Sequence, residues 1–599
     1  MSTQSRCAKV NVKVIVILIL VVVGLGVSLV AARQIRRSIL AGRDLRIGTE
    51  KYEQGDWLAA AKRFQDYLGR RPGDLAILRK YGKARMSIRP LETGHIGQAI
   101  AAYREVLRAD PNDANAYDAL AKLYIGIGNT EDLAYIAERR IENEPNDWDA
   151  WIWLAEAQIG TDKPEEAHQT LQELIDRLEP LAGRHDEYVR ACIHMSSVVM
   201  EDPALRAGEK EEKAFEWLNR AVEYDPNSAR ALARRARFYR SAEIGSVEDR
   251  LALARRDLEA AHATKTKDPR VRYVMATEWL VHGDPNRAAK DVNAVAGLTE
   301  EEISEHYLDP RKWTVMEFLM RAEILLRQGE AGKAADRADE VLAALSERGF
   351  RAQVLRAAVQ VYVQAQRAAE ARESLDEMLE IELMQNEPSM SPLEIGYLKA
   401  LVARVENRPY AIIEALQPVL TNRTPRPDLW RLLSDAYIRT NQPRRAADSL
   451  MRCLQFGPHD PELLEHLARQ YALLGEWDSV RRTAEEAEAA APEAVRPKLL
   501  RIQAEINLAS GAGDDPNETK LKELDGELAR LRQQHPELSE INALHTMIAE
   551  RLGEPEQVES ILKQAAAESD TLMPQMELAG YYRRTDRIDE AIEVCEQAS

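Results

Sequence analysis

Two consecutive stretches of this chain share one length and one pattern of apolar residues. Residues 425–458 and residues 459–492 are each 34 residues long, and both end in proline. Sliding the first stretch onto the second by 34 residues superposes apolar, aromatic or proline residues: Trp430 on Leu464, Leu433 on Leu467, Tyr437 on Tyr471, Ala446 on Val480, Leu450 on Ala484, Cys453 on Ala487 and Pro458 on Pro492. A fixed internal period is the property of a sequence that most restricts its possible folds.

The apolar residues of one unit fall into two helical stripes. We count positions within a unit so that its closing proline is position 32. The apolar residues at positions 4, 7, 8 and 11 then form the first stripe, and those at positions 20, 24 and 27 form the second. A turn residue stands near position 15. Residues three or four apart lie on the same face of a helix, so the pattern predicts two short amphipathic helices. Neither helix can bury its stripe alone, and the stripes must therefore pack on each other and on the next unit.

This pattern resembles the tetratricopeptide repeat, whose signature is W, L, G, Y, G, Y, A, F, A and P at these spacings. Residues in phase recur from the first unit to the last, for example Gly48, Gly55, Trp57, Ala60, Phe64 and Pro72, then Tyr117, Leu120, Ala121, Tyr124 and Gly128, and finally Leu578, Ala579, Tyr582 and Ala591. About a dozen or more units fit between Arg43 and Ser599. The resemblance implies an all-α fold, an α-solenoid of stacked antiparallel helix pairs.

An apolar run near the N-terminus predicts a membrane anchor. Residues 14–32 are 19 residues without a charge, which as a helix would be about 28 Å long and enough to cross a bilayer. We therefore expect a single transmembrane helix, a membrane partner through residues 14–32 and a single-pass membrane localisation. A cleaved signal peptide is the alternative. Basic residues flank the run on both sides, so the face of the membrane that carries the repeats stays undecided.

The predicted organisation has five parts. A basic tail of residues 1–13 precedes the transmembrane helix of residues 14–32, and the repeat array follows over residues 41–509. A flexible loop, residues 510–519, reads SGAGDDPNET and separates the array from its continuation over residues 520–599, whose last unit stops before its closing proline. Longer or more polar connections elsewhere are predicted to be insertions between helices, namely residues 180–214, 295–313 and 385–392.

Charge and motifs exclude several functional classes. The net charge is −18, and because the first 50 residues carry a local +6, the rest of the chain carries about −24. Binding to nucleic acid needs a concentrated basic surface, so no nucleic-acid partner is expected. The sequence holds no GxxxxGK[ST], HExxH, GxSxG or CxxC motif. We therefore expect no enzyme activity, no cofactor and no metal site.

Candidate partner-binding residues come from the resemblance, which implies that the first helix of each unit lines a peptide-binding face. One version of the family grips a C-terminal carboxylate with Lys at position 5 and Asn at position 9. Those positions hold other pairs here, so that clamp is not expected: Asp118 and Lys122, Ile152 and Glu156, Arg431 and Asp435, Glu465 and Arg469. We predict partner contacts at Asp118, Lys122, Arg431, Asp435, Glu465 and Arg469.

Three tryptophans lie close together in NDWDAWIWLAEA. Trp151 is position 4 and is predicted to lie in the core. Trp148 and Trp153 are further candidates for a partner-binding aromatic surface. Packing against the neighbouring unit is the alternative for both.

The expected function is that of a membrane-anchored scaffold or adaptor that mediates protein–protein interactions. Its architecture is similar to that of assembly and export factors of bacterial envelopes, which makes envelope assembly or export an expected role. The alternative is a recruiting or regulatory arm of an enzyme whose catalytic domain lies elsewhere or beyond residue 599. A third hypothesis is a secreted or lipid-free periplasmic carrier.

Overall fold

The computed structural model describes residues 12–89, 91–181, 183, 185–242, 245–384, 389–509, 517–535, 538–568 and 572–597. Within these ranges the regular structure consists of 31 helices. The chain divides into two compact units, which we call unit 1 (residues 1–365) and unit 2 (residues 366–599).

Unit 1 contains eighteen helices: α1 Val12–Glu53, α2 Trp57–Leu68, α3 Leu75–Ser87, α4 Thr93–Ala109, α5 Ala114–Ile127, α6 Thr130–Asn143, α7 Trp148–Gly160, α8 Pro164–Leu178, α9 Asp186–Glu201, α10 Ala207–Tyr224, α11 Ala229–Ser241, α12 Val247–Ala263, α13 Pro269–Val281, α14 Pro285–Asn293, α15 Glu300–Glu305, α16 Pro310–Arg327, α17 Ala331–Ala344 and α18 Arg348–Gln364. Unit 2 contains thirteen: α19 Ala368–Leu383, α20 Pro392–Val405, α21 Pro409–Leu416, α22 Pro427–Arg439, α23 Pro443–Phe456, α24 Pro461–Leu473, α25 Trp477–Ala490, α26 Val495–Ala509, α27 Glu518–Gln534, α28 Ser539–Leu552, α29 Pro555–Glu568, α30 Leu572–Arg584 and α31 Ile588–Gln597.

Successive helices pack as pairs joined by short turns. In unit 1 the pairs are α1 with α2, α3 with α4, and so on to α13 with α14, followed by α16 with α17. In unit 2 they include α20 with α21, α22 with α23, α24 with α25, and α30 with α31. First helices of neighbouring pairs also contact each other, as α7 contacts α9 and α11 contacts α13. The predicted all-α solenoid of stacked helix pairs is confirmed.

The local signals of the sequence explain where the helices begin and turn. Pro427 and Pro461 stand in the first turn of α22 and α24, where a missing N–H costs nothing. Asn441 and Gly475 close the first helices of the same two pairs, with φ of +54° and +71°. Both residue types reach this left-handed conformation more easily than others, so position 15 of the unit serves as its turn.

The two stripes form the core, as the period predicts. In the pair α22–α23 the buried side chains include Trp430, Leu433, Tyr437, Ala446, Leu450 and Cys453. In the pair α24–α25 the corresponding buried side chains are Leu464, Leu467, Val480, Ala484 and Ala487, and Tyr471 is half-buried. The same register therefore holds across both pairs.

Ala446 provides a test of that register. Its side chain is fully buried on α23, whereas the adjacent Arg445 is exposed. Ala446→Leu should overpack the core and lower the free energy of unfolding by about 1–3 kcal/mol, because extra methylenes force neighbouring side chains out of place. Arg445→Leu should have a much smaller effect. Thermal unfolding followed by circular dichroism measures both, and equal losses in the two variants would contradict the register.

The first helix corrects the prediction of a membrane anchor. Helix α1 is 42 residues long and continues past residue 32 through a charged segment that contains Arg33, Arg36 and Arg37. Its end packs on α2, with Ala41 buried. Over the described ranges, we find no helix that is both long enough and apolar enough to span a bilayer. The predicted single-pass membrane localisation is therefore wrong, and the described residues do not support the predicted transmembrane helix or membrane partner.

Two predicted segments fall largely outside the described residues. They are the basic tail, residues 1–13, and the flexible loop, residues 510–519. Most side chains of residues 14–32 also lie outside them. The remaining domain boundaries stay predictions.

Candidate functional site

The connection between α14 and α16 is a folded segment, which we call the insertion (residues 295–309). It contains the short helix α15, and Thr299 caps that helix together with Glu302. Val295, Ile303 and Leu308 form a small buried cluster with Trp313 of α16. The insertion is thus held on unit 1 by its own apolar core.

Acidic side chains of the insertion contact first helices that lie about 180 to 220 residues earlier in the chain. Lys83 Nζ on α3 lies 2.8 Å from Glu301 Oε1. Lys122 Nζ on α5 lies 2.5 Å from Glu305 Oε2 and 2.9 Å from Asp118 Oδ2 of its own helix. Helix α15 therefore lies across two successive first helices, with its carboxylates on their basic side chains.

A third contact of the same kind lies just after α3. Arg89 pairs with Glu300, the first residue of α15. The three ion pairs place one side of α15 against the end of α3 and against α5. Attraction between opposite charges thus determines which side of the insertion faces the first helices.

Tyr307 extends this contact to two more first helices. Its ring centroid lies 6.5 Å from that of the buried Trp153 on α7. The guanidinium of Arg190 on α9 and Nζ of Lys122 lie 5.8 Å and 5.9 Å from the same ring, within the range of cation–π attraction. Burial raises the pKa of the Tyr307 hydroxyl. One aromatic side chain thus connects α5, α7 and α9.

The backbone of Tyr307 is strained. Its φ is +56°, a value that is uncommon for a bulky residue and costs of order 1–3 kcal/mol. Tyr307 follows the last turn of α15, and its N–H donates to the carbonyl oxygen of Ser304 at 3.0 Å. The conformation therefore closes that helix.

The ion pairs are too exposed to hold the insertion firmly. The side chains of Glu301 and Glu305 are 70% and 63% exposed. Exposed pairs contribute about 0–1 kcal/mol each. Burial lowers the pKa of Lys122, but its hydrogen bonds to Glu305 and Asp118 outweigh this effect and raise it overall. The ion pairs therefore determine the orientation of the insertion but contribute little to the free energy of its docking.

The insertion also leaves space beneath it. A cavity of about 230 Å³ remains between the insertion, α3, α4 and α5. Its apolar lining includes Met86, Leu91, Ile96, Tyr103, Leu123 and Leu308. A segment with a larger apolar side chain at this position would fill the cavity that the insertion leaves open.

Comparison with known proteins agrees with this architecture. No family model matches the chain. Human tetratricopeptide repeat protein 33 is 26% identical over 108 residues, which cover 18% of the chain and 40% of that protein. Its mouse counterpart is 27% identical over the same length. The 34-residue period, the helix pairs and this similarity agree. The chain is an all-α repeat protein that is similar to tetratricopeptide repeat proteins.

Some solved structures with a similar repeat architecture cover more of the chain. A thermophilic TPR protein of Thermus thermophilus is 24% identical, with a TM-score of 0.26, and covers 29% of the chain and 89% of its own length. A chain of the APC/C hetero-tetramer Cut9–Hcn1 is 15% identical, with a TM-score of 0.37, over 80% of the chain and 88% of its own. Both TM-scores are below 0.5, so these likenesses carry no argument about function.

Three of the predicted partner-binding residues meet at the insertion. Asp118, Lys122 and Trp153 all lie against Tyr307 or Glu305. Trp148 is half-buried and packs into the core that α7 shares with the helices that follow. A role in partner binding stays a prediction for all four.

The other four predicted residues lie in unit 2. Arg431 on α22 pairs with Glu462 at 3.2 Å, and Asp435 is exposed. Glu465 and Arg469 on α24 pair with each other at 2.7 Å. Their role in partner binding stays a prediction as well.

Sequence analysis did not single out several functional candidates. Four of them, Glu300, Glu301, Glu305 and Tyr307, lie in the insertion, and a fifth, Arg190, lies on α9. The break in the repeat over residues 295–313 was the signal that could have identified the segment. In the part of the repeat protein that the structure describes, no three His, Cys, Asp or Glu side chains are placed to hold a metal ion.

Proposed function

We propose that this chain is a non-catalytic scaffold whose unit 1 binds an acidic segment of a partner protein on its first helices. The observation that supports the proposal is the docking of the insertion, which brings three glutamates and one tyrosine against α3, α5, α7 and α9. The site is the set of side chains that receive it: Lys83, Arg89, Lys122, Trp153 and Arg190.

The chemistry of the insertion defines the chemistry of the partner segment. Two basic side chains on α3 and α5 receive carboxylates, and an aromatic slot follows, formed by Trp153 and Arg190. A matching segment carries acidic residues followed, within about one or two helical turns, by an aromatic residue. An extended face made by several helix pairs suits a segment of this length.

In this proposal the insertion occupies the face until a partner displaces it. Two observations support displacement: the ion pairs are exposed, and a cavity lies beneath α15. Both leave the docked state less stable than a fully packed one. The apolar core around Ile303 keeps the segment attached to α16.

A peptide of residues 297–309 tests the proposal. The peptide should bind weakly to the full-length wild-type chain, because the insertion already fills the face. In an open variant, Glu301→Lys, Glu305→Lys and Tyr307→Ala, the insertion should leave the face through like-charge repulsion and loss of the ring. The labelled peptide should then bind at least about tenfold more tightly, as measured by fluorescence anisotropy.

Two controls locate the binding. Adding Lys122→Ala to the open variant should reduce the gain, whereas Lys62→Ala, an exposed site on α2, should leave it unchanged. Raising the salt concentration should weaken binding, because the contacts are between exposed charges. Equal affinity of wild-type and open chains for the peptide, or indifference to Lys122→Ala, would refute the proposal.

A further inference from the structure

A cluster of arginines lies beside the site of Tyr307, in a pocket between α7, α9, α11 and α13. We call it the arginine pocket (Arg190, Arg230, Arg234 and Arg270). Its volume is about 250 Å³, and Ile193, Val271 and Val274 form its apolar floor. Four guanidinium groups around one small cavity are unusual in a chain whose net charge is −18.

Two of the four arginines have close carboxylate partners. Arg190 donates to Asp149 at 2.6 Å. Arg230 donates to Asp268 at 2.8 Å and to Asp186 at 3.1 Å. These ion pairs fix the two side chains at the rim and neutralise their charge.

The other two arginines lack such a partner among the described residues. Arg234 donates to the Ser197 hydroxyl at 2.8 Å. Arg270 approaches Asp268 only to 3.9 Å, and that carboxylate already accepts a hydrogen bond from Arg230. Two guanidinium groups therefore face the pocket with donors that no close carboxylate accepts.

The surroundings of both groups disfavour their charge. Burial lowers the pKa of Arg234, and the neighbouring Arg237 adds to the effect. Burial also lowers the pKa of Arg270; nearby Arg230 and Arg190 add to this effect, and Asp268 and Glu156 oppose it. An anion in the pocket would remove this cost, because it offsets the desolvation of buried cations.

Glu156 is the one carboxylate among the described side chains that line the pocket. It lies 3.3 Å from Nε2 of His194 and 3.9 Å from Arg190. Burial opposes its ionisation, yet His194, Arg190 and Arg270 hold the pKa of Glu156 at about 2. Among the described residues its ion partners are His194 and Arg190 rather than Arg234.

We propose that the arginine pocket binds one oxyanionic group, a carboxylate or a phosphate, through Arg234 and Arg270. Guanidinium groups bind both anions with paired, charge-assisted hydrogen bonds. Arg190 joins this pocket to the site of Tyr307, so a segment bound at α3 and α5 could place its anionic group here. The identity of that carrier rests on the proposed function, whereas binding of the free anion does not.

Inorganic phosphate and acetate are the probes for the full-length chain. At constant ionic strength kept with chloride, we expect saturable broadening of the ³¹P resonance of phosphate, of the ¹³C resonance of acetate, or of both. The double variant Arg234→Gln and Arg270→Gln should weaken the binding at least about tenfold. Arg237→Gln, an exposed neighbour on α11, should leave it unchanged. Broadening by phosphate alone would identify a phosphorylated segment as the carrier, and broadening by acetate would identify a carboxylate.

A second measurement does not depend on the fold of the variants. Phenylglyoxal modifies accessible arginines, and mass spectrometry of the wild-type chain should show that the saturating anion protects Arg234 and Arg270 but not Arg237. Absence of saturable broadening with both probes, or protection that does not distinguish Arg234 from Arg237, would overturn the inference. If the chain binds the anion but not the insertion peptide, only the proposed function is refuted. If it binds the peptide but not the anion, only the proposal for the arginine pocket is refuted.

Discussion

Phe64→Ala should lower the free energy of unfolding of the first helix pair by about 3–5 kcal/mol, the usual cost of removing a buried aromatic ring. Phe64 on α2 is fully buried. Its ring lies against α1, where Gly48 has no side chain: a Cβ there would be 2.8 Å from Phe64 Cδ1. Tyr52 lies on the same side, with ring centroids 5.9 Å apart. The cavity left by alanine has no neighbouring side chain at Gly48 to fill it.

The effect should be local, because each repeat of a solenoid is stabilised mainly by its neighbours. Hydrogen exchange of residues 41–68 should accelerate strongly in Phe64→Ala, whereas exchange in unit 2 should not change. Leu58→Ala is the matched control, since Leu58 lies on the same helix and is 62% exposed. Similar acceleration in both variants would show that α2 is not held through Phe64.

Gly396→Ala should destabilise unit 2 by about 3 kcal/mol, at the upper end of the cost of overpacking. An added Cβ on α20 would lie 2.7 Å from the backbone oxygen of Ala415 on α21 and 2.9 Å from Val419 Cγ2. A backbone oxygen within a helix cannot rotate away, so the two helices would have to separate. Glycine is therefore required where α20 and α21 approach most closely.

Gly526→Ala is a control for which we expect the opposite change in the free energy of unfolding. Gly526 lies in the middle of α27, is exposed, and its Cβ would have nothing within 4 Å. Alanine there should stabilise the helix by up to about 1 kcal/mol. Urea unfolding followed by circular dichroism should give shifts of opposite direction, and a stabilising Gly396→Ala would contradict the close approach of α20 and α21.

The parts of the fold that depend on short sequence separations could be predicted from the sequence. The 34-residue period predicted that Trp430 and Ala446 are buried, and both are. The prediction was possible because helix geometry within one unit sets both positions. The same reasoning identified the turn at Gly475. The unit could be derived from physical patterns alone because each repeat contacts mainly its neighbours.

The site could not be predicted in the same way. Lys122 and Glu305 are separated by 183 residues, and no local pattern pairs them. Trp153 was recognised as a candidate, but its neighbour Tyr307 belongs to a segment in which the repeat register is lost. The single-pass localisation was predicted from an apolar run of 19 residues, and no helix in the described part of the chain is long and apolar enough to support it.

If the first-helix face binds a partner as proposed, its occupation by the chain's own insertion makes that face selective for ligands of high affinity. The insertion is a tethered competitor, so its effective concentration stays the same however dilute the protein becomes, whereas the occupancy of a partner follows the partner's concentration. If the face is free in about one molecule in a hundred, every ligand binds about a hundredfold more weakly than to a bare face. Ligands of low intrinsic affinity are then rejected, and a mutation that loosens Tyr307 would broaden the range of ligands accepted rather than create a new specificity.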